Sequence, residues 1–139
     1  MDIKPVDGVS FQYQHLLKTL YKKGKLPLKY GFYGDELTKG TATLEHLQPR
    51  SKGGKTELSN LVIASANKNQ ERGCRPLSEV LNWECVGKYL EQFRNVCIDG
   101  FNGNQYIQMI LRTIKRILKN EKGGINEKTY FKTCNKRDY

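Results

Sequence analysis

Two short apolar runs flanking a polar, glycine-split loop constrain this chain more than any other feature. Thr41 to Leu47 reads as a strand, and Leu61 to Ala64 as a second strand-like run. Between them, residues 48–57 (QPRSKGGKTE) form a polar loop with the Gly53-Gly54 pair inside it. Ser65 then offers an N-cap for a brief helix that Gly73 ends. Strand, loop, strand and short helix in that order, set among longer helices, predict an α+β fold.

The flanks are helical. Ser10 can cap a helix whose apolar positions Tyr13, Leu16, Leu17, Leu20 and Tyr21 follow the i, i+3, i+4 rule, with Lys18, Lys22 and Lys23 on the far face and Gly24 as a stop. Pro27 to Gly40 is rich in turn residues. From Ser78 to Cys97 the spacing of Val80, Leu81, Cys85, Tyr89, Leu90, Phe93, Val96 and Cys97 predicts a second long helix, with Trp83 as a core anchor. Residues 100–104 (GFNGN) break it. A third helix is expected from Gln105 to Asn120, burying Ile107, Ile110, Leu111, Ile114 and Leu118 and exposing Arg112, Lys115, Arg116 and Lys119. The 139 residues suit one domain, 1–139: an N-terminal helix over 10–24, a core over about 30–75, a helical extension over 78–120 and a basic tail over 121–139.

Composition narrows the partner. Twenty-four Lys and Arg against 14 Asp and Glu give a formal charge of +10, which favours an anionic partner, nucleic acid before membrane. The excess is +5 over residues 1–55, −1 over 56–103 and +6 over 104–139, so basic ends flank a near-neutral middle. No long apolar run or signal-like start is evident, and the chain reads as soluble and cytoplasmic. Cys74, Cys85, Cys97 and Cys134 contain no CxxC pair, which argues against a zinc ribbon; Cys85 and Cys97 read as buried thiols.

Chemistry concentrates in residues 41–73. Phosphodiester hydrolysis near neutral pH needs a base for water, a cation against the phosphate charge, and donors that hold the phosphate in line. His is the natural base, and Mg²⁺ takes oxygen ligands from carboxylate or amide side chains. Glu45-His46 and Asn69 supply these types. His15 lies mid-helix and reads as structural.

Glu45-His46, then Pro49-Arg50-Ser51-Lys52-Gly53-Gly54, then Leu58-Ser59-Asn60-Leu61, then Asn69-Gln70-Glu71-Arg72-Gly73 resembles the HNH endonuclease motif over roughly residues 30–75. The resemblance implies a ββα-metal core of two strands, a loop and a packed helix, embedded in further helices. It implies a DNA endonuclease in which His46 activates water and Glu45 and Asn69 ligate one Mg²⁺, Mn²⁺ or other divalent cation, with Asn67 as the rival ligand. Asn60 would brace the loop and keep His46 oriented. Arg50, Lys52, Lys55, Lys68 and Arg72 become candidate phosphate contacts. Expected products carry a 5′-phosphate and a 3′-hydroxyl, the setting being a bacterial cell or a phage-infected host.

Three departures stand out. Glu45 replaces the usual Asp, Asn69 stands where the last His of the motif would be, and the zinc-knuckle cysteines are replaced by Tyr30-Gly31-Phe32-Tyr33 and by Ser65 and Lys68. No structural zinc is expected, with Tyr30, Phe32 and Tyr33 bracing the site by packing. Strand alternation points Glu45 and His46 to opposite faces, so one site can hold both only at a bend or at the strand's edge. A catalytically quiet nucleic-acid-binding or nuclease-interfering module and a toxin-like nuclease stand as alternatives, and a second copy or another protein is left open as a partner.

Overall fold

In the computed structural model, which describes residues 16–122, β1 (Ala42–His46) and β2 (Leu61–Ser65) pair antiparallel with Ala42 opposite Ser65 and His46 opposite Leu61. The Leu47 amide donates to the Asn60 carbonyl and carries the pairing one step further. The connecting loop makes short 3₁₀ turns at Arg50–Lys52 and Leu58–Asn60. α2 (Ala66–Arg72) follows directly, with the Ser65 side chain accepting from the Lys68 amide and Gly73 closing it at positive φ. α1 (Leu16–Lys22) packs against β2 and buries Leu17, Leu20 and Tyr21. Ser10, Tyr13 and His15, which begin the predicted first helix, lie outside the described residues, as do the tail beyond residue 122 and Cys134.

All five residues of β2 are buried, so its outer edge has to find partners inside the protein. Side chains and one loop supply them. The Phe32 amide donates to the Ile63 carbonyl, the Ile63 amide donates to the Tyr89 hydroxyl, and the Ser65 amide donates to the Asp35 carboxylate. Tyr106 donates its hydroxyl to the Leu61 carbonyl at 2.7 Å and stands 2.9 Å from the Tyr89 hydroxyl. Each proton is accounted for if Tyr89 donates to Tyr106. The tyrosine rings join Phe32, Phe93 and Phe101 in an edge-on and tilted cluster with centroids 4.7 to 5.8 Å apart, the geometry aromatic quadrupoles favour.

Tyr89 and Tyr106 come from the helical extension. The single helix expected over 78–97 is in fact α3 (Leu77–Val80) and α4 (Trp83–Glu91), followed by β3 (Cys97–Ile98). Asn82 causes the break: it adopts extended backbone and its side chain accepts from the Glu84 and Cys85 amides, so it caps a new helix instead of continuing the old one. Consequently Cys97 is exposed and Cys85 half-buried, not the buried thiols expected. Trp83 is 51% exposed instead of a core anchor, because α4's buried stripe begins a turn later at Val86. β4 (Phe101–Asn102) pairs with β3, and α5 (Gly103–Lys122) starts at once. α5 buries Tyr106, Ile110, Thr113, Ile114 and Ile117, while Ile107, Leu111 and Leu118 are only partly buried. The buried stripe thus runs slightly off the predicted one, in line with Tyr106. At its far end the Glu121 carboxylate accepts from the Leu77 and Ser78 amides and ties α5 to α3. No helix among the described residues is long and apolar enough to cross a membrane.

Burial pushes the Tyr89 and Tyr106 phenols well above the ordinary tyrosine range. Unfolded phenols ionise near pH ~10. Their contribution is therefore complete below that pH and lost as pH rises through it, by up to about 1.4 kcal/mol per pH unit for each phenol. Tyr106→Phe strands the Leu61 carbonyl and is expected to cost about 1–3 kcal/mol near neutrality. It should also make the alkaline loss of stability shallower. Urea unfolding on both sides of the phenol range measures both effects.

Candidate functional site

β1 and α2 face each other along a polar seam. Thr43 and Glu45 are two apart on β1 and so share a face; Asn69 and Arg72 are three apart on α2 and share another. The Asn69 side-chain amide donates to the Thr43 hydroxyl and to the Leu44 carbonyl, each at 3.2 Å. Arg72 reaches Glu45 Oε2 at 3.4 Å and donates to the His46 and Leu47 carbonyls, each at 2.9 Å, and to the Arg75 carbonyl. Tyr33 donates its hydroxyl to the same Glu45 oxygen at 2.8 Å. Glu45, Asn69 and Arg72 are 1%, 0% and 2% exposed.

Electrostatics keep this seam charged. Burial alone would lower the pKa of Arg72, but Tyr33 and Glu45 beside it raise it overall, so the guanidinium stays protonated. Burial, with Glu45 adding to it, pushes the Tyr33 phenol far up and keeps it a neutral donor. Arg72 was a candidate phosphate contact; the structure corrects this, since its donors are spent on Glu45 and on backbone carbonyls at the end of β1. Asn69 Oδ1 is buried and has no hydrogen-bond partner among the described residues. Asn67, the rival ligand, is exposed on the other side of α2.

His46 turns the other way. Its Nε2 shares a 2.8 Å hydrogen bond with the Thr56 hydroxyl of the loop. The structure therefore groups Glu45, Asn69 and Arg72 on one side of β1 and sets His46 with Thr56 on the other. Glu45 and His46 are adjacent, their Cα atoms ~3.8 Å apart, so the carboxylate and the imidazole flank the C-terminal end of one strand.

Asn60 organises the loop that brings Thr56 there. Its amide nitrogen donates to the Gln48 and Lys55 carbonyls at 3.0 and 2.9 Å, and its oxygen accepts from the Gln48 amide at 2.9 Å. Both glycines have local reasons. Gly53 closes a 3₁₀ turn at φ +91°, and a Cβ on Gly54 would stand 1.8 Å from the Gln48 carbonyl oxygen. Arg50 and Lys55 are exposed; half-buried Lys52 donates to the Cys74 carbonyl at 2.6 Å, and Lys68 pairs with Glu71 at 3.4 Å. Of the three bracing aromatics, Phe32 enters the core and Tyr33 bonds Glu45, whereas Tyr30 is 43% exposed and braces nothing in the seam.

Thr43, Thr56 and the bond from Tyr33 escaped sequence reasoning. The period-two pattern did carry a signal for Thr43, two residues before Glu45 and hence on its face. Nothing local marks Thr56.

No family model matches the chain, and no curated protein or solved structure is significantly similar to it.

The donor set fits a hard divalent cation in chemical type. Glu45 offers a carboxylate and Asn69 an amide oxygen whose burial lacks a compensating bond, and such ions take few protein oxygens and keep several waters. Among the described residues no group of three or more His, Cys, Asp or Glu forms a fuller cage.

Removing one member of the buried pair leaves the other charge uncompensated. Arg72→Met is expected to cost about 3–5 kcal/mol, and adding Glu45→Gln should return part of it. A double-mutant cycle by urea denaturation measures the coupling; additivity would show that the pair does not act as a unit. Asn60→Ala strands three backbone groups of the loop, and a loss of about 1–3 kcal/mol is expected by the same method.

Proposed function

We propose that this chain is a metal-dependent DNA endonuclease of HNH type, with β1, the loop, β2 and α2 as its ββα-metal core. One observation carries the reading. Asn69 is fully buried against β1, its amide nitrogen on Thr43 two residues before the Glu45 carboxylate and its amide oxygen without a hydrogen-bond partner among the described residues, and the residue after Glu45 is an imidazole.

Glu45 and Asn69 would hold one Mg²⁺ or Mn²⁺, which when bound supplies charge neutralisation at the phosphate and the leaving oxygen. His46 takes the proton of the attacking water, the task its chemistry suits near neutrality. Its Nε2 lies 2.8 Å from the Thr56 hydroxyl, the position that the attacking water would take over. Tyr33 and Arg72 fix the Glu45 carboxylate, as bonded neighbours orient ligating carboxylates elsewhere. Asn60 holds the loop so that Thr56, and through it His46, keeps its place.

The burial of Glu45 and its pairing with Arg72 favour a second reading, in which a core of this type is kept for binding nucleic acid without turnover. Conversion of supercoiled plasmid to nicked circles decides between them. In the first reading wild-type protein nicks with Mg²⁺ or Mn²⁺ and not with EDTA, His46→Ala loses at least about 10²-fold in rate yet still binds DNA, and Asn69→Ala needs more metal for half-maximal rate. Wild-type protein that binds DNA and never nicks it, whichever divalent ion is present, establishes the second.

A further inference from the structure

The loop that brings Thr56 to His46 also forms one wall of a polar cleft of about 300 Å³ whose opposite wall is the last third of α5. Lys55, Gln48 and the bracing Asn60 line the loop side, and Arg116 and Asn120 the helix side, with Glu57 as the carboxylate in the lining. From the cleft the basic surface continues along α5. Arg112, Lys115, Arg116 and Lys119 are all exposed, and they recur at i, i+3, i+4 and i+7, on the face opposite the buried Ile110, Ile114 and Ile117.

Among the described residues no ion pair balances this stripe. Glu121 is the only acidic residue in α5, and it is turned aside to the amides of Leu77 and Ser78. None of the four stripe residues enters an ion pair among the described residues. Like charges three and four apart on a helix repel, so the arrangement lowers the helix's own stability unless an external anion lies along it.

We propose that this cleft and the α5 stripe form a track for the backbone of duplex DNA, with Lys55 and Arg116 clasping phosphates where the strand passes the loop. The track is separate from the Glu45–Asn69 seam and rests on the reading of nucleic acid as partner, not on turnover. Its geometry suits a duplex. From Arg112 to Lys119 the stripe rises about 10 Å along one face of a continuous helix, against one charge per ~1.7 Å of duplex axis. A single strand would call for aromatic stacking platforms, and among the described residues the large exposed aromatics, Tyr30 and Trp83, do not line the cleft. The lining and stripe side chains give position and affinity without reading bases.

The test measures binding of the full chain to a labelled DNA duplex by anisotropy in EDTA, across a salt series. Lys55→Gln with Arg116→Gln removes two phosphate contacts, so the slope of log K against log salt should become shallower by about 1.8, and affinity at ~0.1 M salt should fall by tens of fold. Arg112→Gln with Lys119→Gln should change both in the same direction. Lys22→Gln with Lys23→Gln removes the same charge from α1 and the turn after it; Lys23 acts on Asp99, which precedes α5, and the first residue of α5, Gly103, is about 20 Å along the helix from Arg116. That control should shift affinity by less than about threefold and leave the slope unchanged. Equal effects from the cleft and control pairs would overturn the track, as would an unchanged slope in the cleft pair or tighter binding to single strands or to duplex RNA. Because the readout is binding without metal, a protein that fails to nick can still pass, and one that nicks can still fail.

Discussion

The outer edge of β2 is the constraint on which the rest of the structure turns. A two-stranded sheet leaves half of each strand's backbone unpaired, and here that half lies in the core, where an unsatisfied amide or carbonyl costs about 1–3 kcal/mol. The protein satisfies it with parts drawn from far along the chain: Phe32 and Asp35 before the sheet, Tyr89 and Tyr106 well after it. The helical extension is therefore no appendage. α4 and α5 each place one tyrosine hydroxyl on β2, and the same rings make up much of the aromatic core. By holding β2 these contacts also hold β1 in register, and with it Glu45 and His46.

The second organising interaction is the one between Glu45 and Arg72. A buried ion pair is weak evidence for stability, since desolvating both charges offsets much of their attraction. What this pair does is geometric. Arg72 spends its donors on Glu45 and on the carbonyls of His46 and Leu47, so a single side chain from α2 grips the last residue of β1 and the one after it. Glutamate in place of the shorter aspartate matters here, because the extra methylene extends the carboxylate into the space between Tyr33 and Arg72. One of the residues that depart from the resembled motif is thus the one that Tyr33 and Arg72 both bond.

How much of this the sequence disclosed follows from the range of each interaction. Ser65 as cap, Gly73 as stop, both strands and the polar loop were legible because caps, periods and glycine pairs act within a few residues. The bonds that set Asn69 against Thr43 and Leu44 on β1 have no signal in the local sequence. Arg72 was misread because a basic residue near a presumed phosphate site reads the same whether it faces solvent or reaches inward, and only the packing of α2 on β1 separates the two. The helix over 78–97 was misread for a local reason: its apolar spacing continued through Asn82, whose side chain bonds the amides ahead of it and restarts the helix there. The edge contacts of β2 had no local signature at all. Tyr106 and Leu61 are 45 residues apart, and no periodic pattern announces a hydroxyl's partner at that distance.

The loop between the strands ties these levels together. Asn60 and the two glycines fold it tightly, which an unbraced polar segment of that length would not do without a large loss of chain entropy. Once folded, it presents consecutive residues to different tasks: Thr56 to His46 and Lys55 to the cleft against Arg116. Charge is partitioned accordingly. The buried cation, Arg72, is neutralised inside the protein and holds geometry, whereas the exposed cations of α5 enter no ion pair among the described residues. A surface that served solubility alone would gain from interspersed acids on the same face. α5 instead carries its single carboxylate away to α3, leaving a one-signed stripe beside the loop that positions His46.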